Sequence, residues 1–215
     1  MDFYLEADSI LKSFNERIIL SDIYLKCMSG DIIAIWGRNG SGKSTLFNIL
    51  YGTMKADRLF LRINDKVITG KAYKTGQIVY LPQMNFLPKE LIVEDLIRLV
   101  CGNSFHWLMD ETIQKKYKSR IRDLSNGELR YIEILLLLES KSPFVILDEP
   151  FIGLSPIMVE QVSAYIKLNR LNKGIIFSDH NYQAAEKIAN RYMLLNEGYL
   201  RPITDMEKLR GIYFR

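Results

Sequence analysis

The stretch Asp31-Ile-Ile-Ala-Ile-Trp-Gly-Arg-Asn-Gly-Ser-Gly-Lys-Ser-Thr45 decides the fold. Its first part, Asp31 to Trp36, is short and almost continuously apolar, as for a strand buried on both faces. Gly37 to Ser44 then fits GxxxxGK[ST], and a helix is expected to follow through about Leu50, with Leu46, Ile49 and Leu50 on one face. Strand, glycine-rich loop and helix in that order make a phosphate cradle. Glycines let the loop curl so that N–H groups converge on phosphate oxygens, and the helix adds its positive N-terminal end. Lys43 would place a cation on the β- and γ-phosphates, and the Ser44 hydroxyl would ligate Mg²⁺. The flanking strand and helix separate this motif from a glycine turn that happens to carry a lysine.

On either side of the cradle, residues 3–7, 17–27, 58–63 and 77–81 read as strands. The stretch from Ile92 to Tyr117 reads as mostly helical, with Leu96, Leu99 and Val100 at helical spacing. A helix is expected from near Ser125 to Leu138, a buried strand at Phe144–Leu147 and a helix from Pro156. A strand at 174–178, a helix from about Asn181 and a strand at 192–196 follow. This alternation predicts a parallel α/β sheet covered by helices, with a helical insertion at 84–124. The strand Phe144-Val-Ile-Leu ends in Asp148-Glu149. An acidic pair after a strand is, taken alone, more often the start of a loop. Beside a phosphate loop it becomes a Mg²⁺-holding Asp148 and a water-polarising Glu149, at the strand edge where open α/β sheets bind ligands.

The 215 residues are 48% hydrophobic and 25% charged, a globular composition suited to one large domain. The net charge of +4 comes without a dense basic block, which reads as a solvated surface and gives no reason to expect nucleic acid. Cys27 and Cys101 stand far apart with no metal-ligand spacing, so neither a disulfide framework nor a zinc site is expected. The opening MDFYLEADSI carries acids early and does not resemble a secretory signal. Apolar runs such as Ile134–Leu138 are too short to span a bilayer, so a membrane role would come through a partner chain.

The order of motifs resembles the nucleotide-binding domains of ABC transporters over nearly the whole chain. Gly37 to Thr45 is similar to Walker A, and Phe144 to Glu149 to Walker B with its catalytic Glu. Leu124-Ser-Asn-Gly-Glu128 resembles the LSGGQ signature and Leu81-Pro-Gln83 the Q-loop. Gly153-Leu-Ser-Pro156 resembles the D-loop, Ser178-Asp-His180 the switch histidine, and Phe14 the aromatic that stacks on adenine. The resemblance implies a P-loop NTPase fold of class α/β, with a RecA-like core, an antiparallel β-subdomain and a helical subdomain at about 84–143. All of it would lie in one domain over 1–215. It implies ATP and Mg²⁺ as cofactors, with Phe14, Gly37, Arg38, Asn39, Gly40, Ser41, Gly42, Lys43, Ser44 and Thr45 binding nucleotide. Ser44, Gln83 and Asp148 would bind the metal, and Glu149, His180, Gln83 and Lys43 would serve catalysis. Ser125, Asn126, Gly127 and Glu128 would cap the γ-phosphate held by a second cassette, in a homodimer or a heterodimer.

The resemblance further implies a transmembrane permease as partner and a cytoplasmic location on the inner face of the membrane. Met84, Phe86 and Leu87 would either meet that permease or pack internally. Ser125 followed by Glu128 is a capping box whatever else it does. The departures are Asn126 for the first signature glycine, Glu128 for glutamine, and Ser155 for the D-loop acid. Ser155 before Pro156 still suits a helix N-cap but loses a negative charge. Asp148 to Pro156, with Asp179-His-Asn181, resembles the lipopolysaccharide-export and branched-chain amino-acid branches of the family. A soluble cassette ATPase and a catalytically inactive regulatory cassette are the alternatives. His106 matches no motif and reads as a packing or surface residue.

Overall fold

The computed structural model describes residues 3–102 and 110–204. It is α/β, with one antiparallel and one mostly parallel sheet. Strands β1 (Tyr4–Phe14) and β2 (Arg17–Met28) form a hairpin whose turn residues, Asn15 and Glu16, both have positive φ. That is the turn chemistry which matches strand twist. β1 also pairs with β4 (Arg58–Ile63), which pairs with β5 (Lys66–Val67), in the order β2-β1-β4-β5. β1 runs well past the expected 3–7. Ser9, at φ 54°, marks a register shift between Ala7 and Ile10 on β2, so the chain crosses an irregularity and continues.

The second sheet holds β3 (Ile32–Trp36), β6 (Ile78–Leu81), β7 (Phe144–Asp148), β8 (Gly174–Ser178), β9 (Arg191–Asn196) and β10 (Tyr199–Pro202). Their order is β10-β9-β3-β8-β7-β6, parallel except for β10 at the edge. β10 has no counterpart in the sequence reading. Pro202 speaks against a strand, yet Pro is tolerated at a sheet edge. All residues of β3, β7 and β8 are buried.

Period-two alternation splits β3 between two cores. Ile33 and Ile35 face α1 (Lys43–Tyr51) and the antiparallel sheet; Leu46, Ile49 and Leu50 of α1 lie there, as the helical spacing required. Ile32, Ala34 and Trp36 face the core that gathers the remaining helices. Those are α2 (Val93–Cys101), α3 (Glu111–Lys116), α4 (Asn126–Glu139), α5 (Pro156–Asn169) and α6 (Tyr182–Ile188).

The stretch expected to be mostly helical from Ile92 to Tyr117 holds α2 and α3. Its residues 103–109, with His106, lie outside the described residues. α2 buries Val93, Leu96 and Ile97, whereas Leu99 is 80% exposed. Helical spacing located the helix, and Leu96 and Val100 pack on the core as expected, but Val93 and Ile97 rather than Leu99 complete the buried face.

Candidate functional site

Four strands of the parallel sheet end on the same side, and the motif residues follow their carboxyl ends. Gly37 follows β3, Gln83 follows β6, Asp148 closes β7 before Glu149, and Ser178 closes β8 before Asp179 and His180. β8 lies between β3 and β7, so the phosphate loop and the carboxylate pair stand two strands apart with His180 leaving from between them.

The loop enters α1 at Gly42, whose φ of 105° suits glycine; a Cβ there would also sit 2.9 Å from Ile19. Lys43 is buried, and its Nζ donates to the carbonyls of Gly37 (2.8 Å) and Arg38 (3.3 Å). Burial pulls its ammonium below the ordinary lysine value, while Glu149 and Asp148 oppose that pull. Ser41 Oγ, in the loop between Gly37 and Lys43, is buried and meets no hydrogen-bond partner.

Gln83 Nε2 donates to Ser44 Oγ at 3.4 Å. Asp148 is buried and accepts from Ser178 Oγ at 2.7 Å and from Tyr80 Oη at 3.2 Å. Burial, reinforced by Asp148, drives the Tyr80 phenol upward, so it stays a donor. Asn48 Nδ2 donates to Ser44 O at 2.7 Å and to Tyr80 Oη at 3.4 Å, joining α1 to this network. Glu149 sits at φ 52°, a left-handed conformation costly for a residue with a side chain. Its N–H donates to Ser178 O at 2.9 Å, and its Oε1 lies 3.2 Å from His180 Nε2. Asp179 accepts from Phe151 N (2.8 Å) and Asn181 N (2.7 Å), tying the segment after Glu149 to the segment after His180.

A cavity of about 670 Å³ unites Phe14, Lys43, Ser44, Gln83, Glu149 and His180. Asn39, Gly40, Gly42 and Thr45 complete its loop side. Phe14, 45% exposed at the end of β1, has Lys12 Nζ 4.8 Å from its ring centroid. Asp148 lies behind this wall, held by the two hydroxyls. Among the described residues no three His, Cys, Asp or Glu side chains cluster into a metal cage. Ser44, Gln83 and Asp148 offer the hard oxygens that Mg²⁺ favours, with Asp148 the one carboxylate among them; such an ion is ordinarily bound by one or two carboxylates and completes its shell with water and phosphate.

Residues Ser125 to Glu128 do not line this cavity. Ser125 Oγ accepts from Glu128 N (3.3 Å), and Glu128 accepts from Ser125 N (2.9 Å) and pairs with Lys116 at 3.0 Å. The capping box read from the sequence is therefore formed. Asn126 is exposed and lines a neighbouring groove with Gln83, Met84, Leu87, Ile152 and Gly153. Gly127 abuts the D-loop segment: a Cβ there would lie 2.5 Å from the Gly153 carbonyl oxygen. Ser155 caps α5, accepting from Met158 N at 3.4 Å, with Pro156 at its first turn.

The sequence reading did not single out Tyr80, Asn48 or Ile19 for this site. Tyr80 had a signal, a polar tip on a strand ending in the Q-loop motif, but its partner is 68 residues away. Asn48 is an ordinary helix residue until tertiary structure brings Tyr80 over it.

A family model described as ABC transporter matches residues 20–152, more than half of the chain. The lipopolysaccharide export system ATP-binding protein LptB of Acidithiobacillus ferridurans is 26% identical over 235 residues, covering 99% of this chain and 97% of that one. A probable ABC transporter ATP-binding protein of Azorhizobium caulinodans is 30% identical over 220 residues, covering 95% of this chain and 78% of that one. Among solved structures, an ATP-binding subunit of an ABC transporter superposes with a TM-score of 0.83 at 23% identity, over 98% of this chain and 93% of that one. The chain belongs to the ABC transporter family as an ATP-binding subunit. No helix among the described residues is long and apolar enough to cross a membrane.

Proposed function

We propose that this chain binds Mg-ATP and hydrolyses it as the ATPase subunit of an ABC transporter, driving a separate membrane partner. The observation that carries the reading is the convergence on one cavity of Lys43, Ser44, Gln83 and the Glu149–His180 pair at 3.2 Å. Gly37 to Thr45 cradle the phosphates, Phe14 stacks on adenine, and Lys43 exchanges its loop carbonyls for phosphate oxygens. Ser44, Gln83 and Asp148 would hold Mg²⁺, whose charge would stabilise the transferring phosphoryl group. Glu149 accepts the proton of a water that attacks the γ-phosphorus as the bond to ADP breaks. His180 orients that carboxylate and donates toward the γ-phosphate.

Residues 1–215 act as one cassette domain, with a helical subdomain at about 84–143. Two copies, or this chain with a homologous cassette, sandwich two nucleotides so that Ser125, Asn126, Gly127 and Glu128 of one cap the γ-phosphate of the other. The exposure of Ser125 and Asn126 away from their own cavity supports a composite site. A transmembrane permease docks beside Gln83, where Met84 is 82% exposed and Phe86 is half-exposed, while Leu87 packs inward. The cassette then sits on the cytoplasmic face of the membrane, and the transported substrate is chosen by the permease.

Lys43→Ala tests the site. Loss of one fixed cation from the cradle should sharply weaken Mg-ATP binding or abolish phosphate release. Unchanged turnover would refute the assignment. Copurification of the native chain with membranes separates this reading from a soluble cassette ATPase.

A further inference from the structure

Two charged side chains one turn beyond the capping box of α4 are among the most deeply buried in the molecule: Arg130 is 3% exposed and Glu133 0%. Arg130 Nη1 donates to the Pro82 carbonyl at 2.5 Å, and Nη2 donates to the carbonyls of Asp148 and Glu149, the latter at 3.1 Å. Glu133 Oε1 accepts from the amides of Phe86 (2.7 Å) and Leu87 (3.2 Å). Its Oε2 has no hydrogen-bond partner and lies 3.8 Å from Arg130 Nη1.

A buried ion pair is a poor way to stabilise a helix, since apolar side chains of similar volume pack as well or better. What this pair does is spatially specific. Arg130 grips the backbone just before Gln83 and the backbone of both carboxylate residues, and Glu133 grips the loop just after Gln83. The left-handed φ of Glu149 is costly and persists only where the surroundings over-determine it; Arg130 holds its carbonyl and Ser178 its amide. Only a planar fork of donors reaches carbonyls on two separate strand ends at once, which a lysine ammonium cannot reproduce.

We propose that Arg130, supported by Glu133, is a positioning residue for ATP hydrolysis, fixing Gln83 and the Asp148–Glu149 backbone to the helix that begins at Ser125. The proposal rests on the ATPase reading above. It makes the signature helix, the Q-loop and the carboxylate pair of one chain a single rigid unit.

The test uses the full chain as Arg130→Lys, Glu133→Gln, Gln83→Ala and Arg130→Lys/Gln83→Ala, with Val162→Ala in α5 as a control that loosens the same core without touching the charged pair. For Arg130→Lys, kcat should fall by about 10²-fold, the scale of a small misplacement of reacting groups. Mg-ATP affinity, read by titration of a fluorescent ATP analogue, should stay near the wild-type value. Amide exchange by mass spectrometry should accelerate in peptides covering 83–88 and 148–152 in Arg130→Lys, and over 83–88 in Glu133→Gln, but in neither region in Val162→Ala. The double variant should lose less than the product of the two single losses, because part of the Arg130 effect acts through Gln83 and the rest through the Asp148–Glu149 backbone. Wild-type kcat in Arg130→Lys, or an exchange pattern identical to that of Val162→Ala, overturns the proposal. If Arg130→Lys does not fold, unchanged exchange at Phe86 and Leu87 in Glu133→Gln overturns it instead. A wild-type chain that releases no phosphate either alone or mixed with native extract refutes the ATPase reading, whereas exchange at 83–88 reports on the Arg130–Glu133 clamp independently.

Discussion

Asn126 and Gly127 are adjacent, and in the family's signature both positions are glycine, yet only one is under steric demand here. Asn126 opens α4 with its side chain exposed, so the substitution costs no contact. Gly127 faces the Gly153 carbonyl oxygen, which a Cβ would meet at 2.5 Å, and backbone cannot swing aside as a side chain does. Gly127→Ala should therefore destabilise the chain by about 1–3 kcal/mol, the usual cost of overpacking. Asn126→Gly should change stability by less than about 1 kcal/mol. Urea unfolding of both variants checks the contrast, and equal effects would mean that the D-loop does not bear on α4 through this glycine. Glu149 shows a second residue-level demand: its positive φ comes from the path of the chain between β7 and Phe151, not from its own preference.

Helix α4 starts where local chemistry says it must. The Ser125–Glu128 box satisfies orphan amides of the first turn, and an acid there complements the helix dipole. Burial pushes the Glu128 carboxyl up, but the Ser125 amide, Lys116 and the Ser125 hydroxyl together outweigh it and hold the group below its ordinary value. A lowered carboxyl contributes stability that is full above the unfolded-state value and is lost as pH falls through the folded one. Glu128→Gln should thus cost about 1 kcal/mol or less at neutral pH. The difference from wild type should shrink between about pH 5 and pH 3. Urea unfolding across that range is the measurement; a difference that grows on acidification would contradict the assignment. At α5, Ser155→Asp keeps the cap and adds a charge near the expected dimer seam. Nucleotide titration should find ATP affinity nearly unchanged, while timed phosphate release finds an altered steady-state rate. A large affinity change at constant rate would place Ser155 away from the seam.

For the assembled molecule, the decisive variant is Glu149→Gln. It keeps size and removes the acceptor charge beside His180, a loss worth about 10²–10⁴ in rate for a general base. ATP binding should not weaken, because a negative charge near the γ-phosphate is gone. In the proposed two-cassette sandwich, binding energy that hydrolysis would dissipate then stays stored. With Mg-ATP this variant should elute from size exclusion as a dimer, and without nucleotide as a monomer. Ser125→Arg added to it should abolish the dimer by filling the capping site for the opposite γ-phosphate. A monomer at saturating Mg-ATP would point to a different cassette chain as partner or sink the composite site, and mixing with native extract distinguishes the two.

The sequence by itself determined whatever depends on residues within a turn or two of each other. The strand–loop–helix cradle, the box at Ser125–Glu128, the Ser155-Pro156 cap and the apolar face of α1 are set by φ, ψ sterics, capping and periodicity, which are local. The motif order then named the groups Lys43, Ser44, Gln83, Asp148, Glu149 and His180, and the fold brings five of them to one cavity with Asp148 just behind. Only tertiary structure decided the rest. The insertion of β8 between β3 and β7, the grip of Arg130 on Pro82, Asp148 and Glu149, the Tyr80–Asp148 contact and the approach of Gly153 to Gly127 all join segments far apart in the chain. Such contacts leave no periodic trace, because a buried arginine or a tight glycine is specified by the neighbour that packing delivers to it.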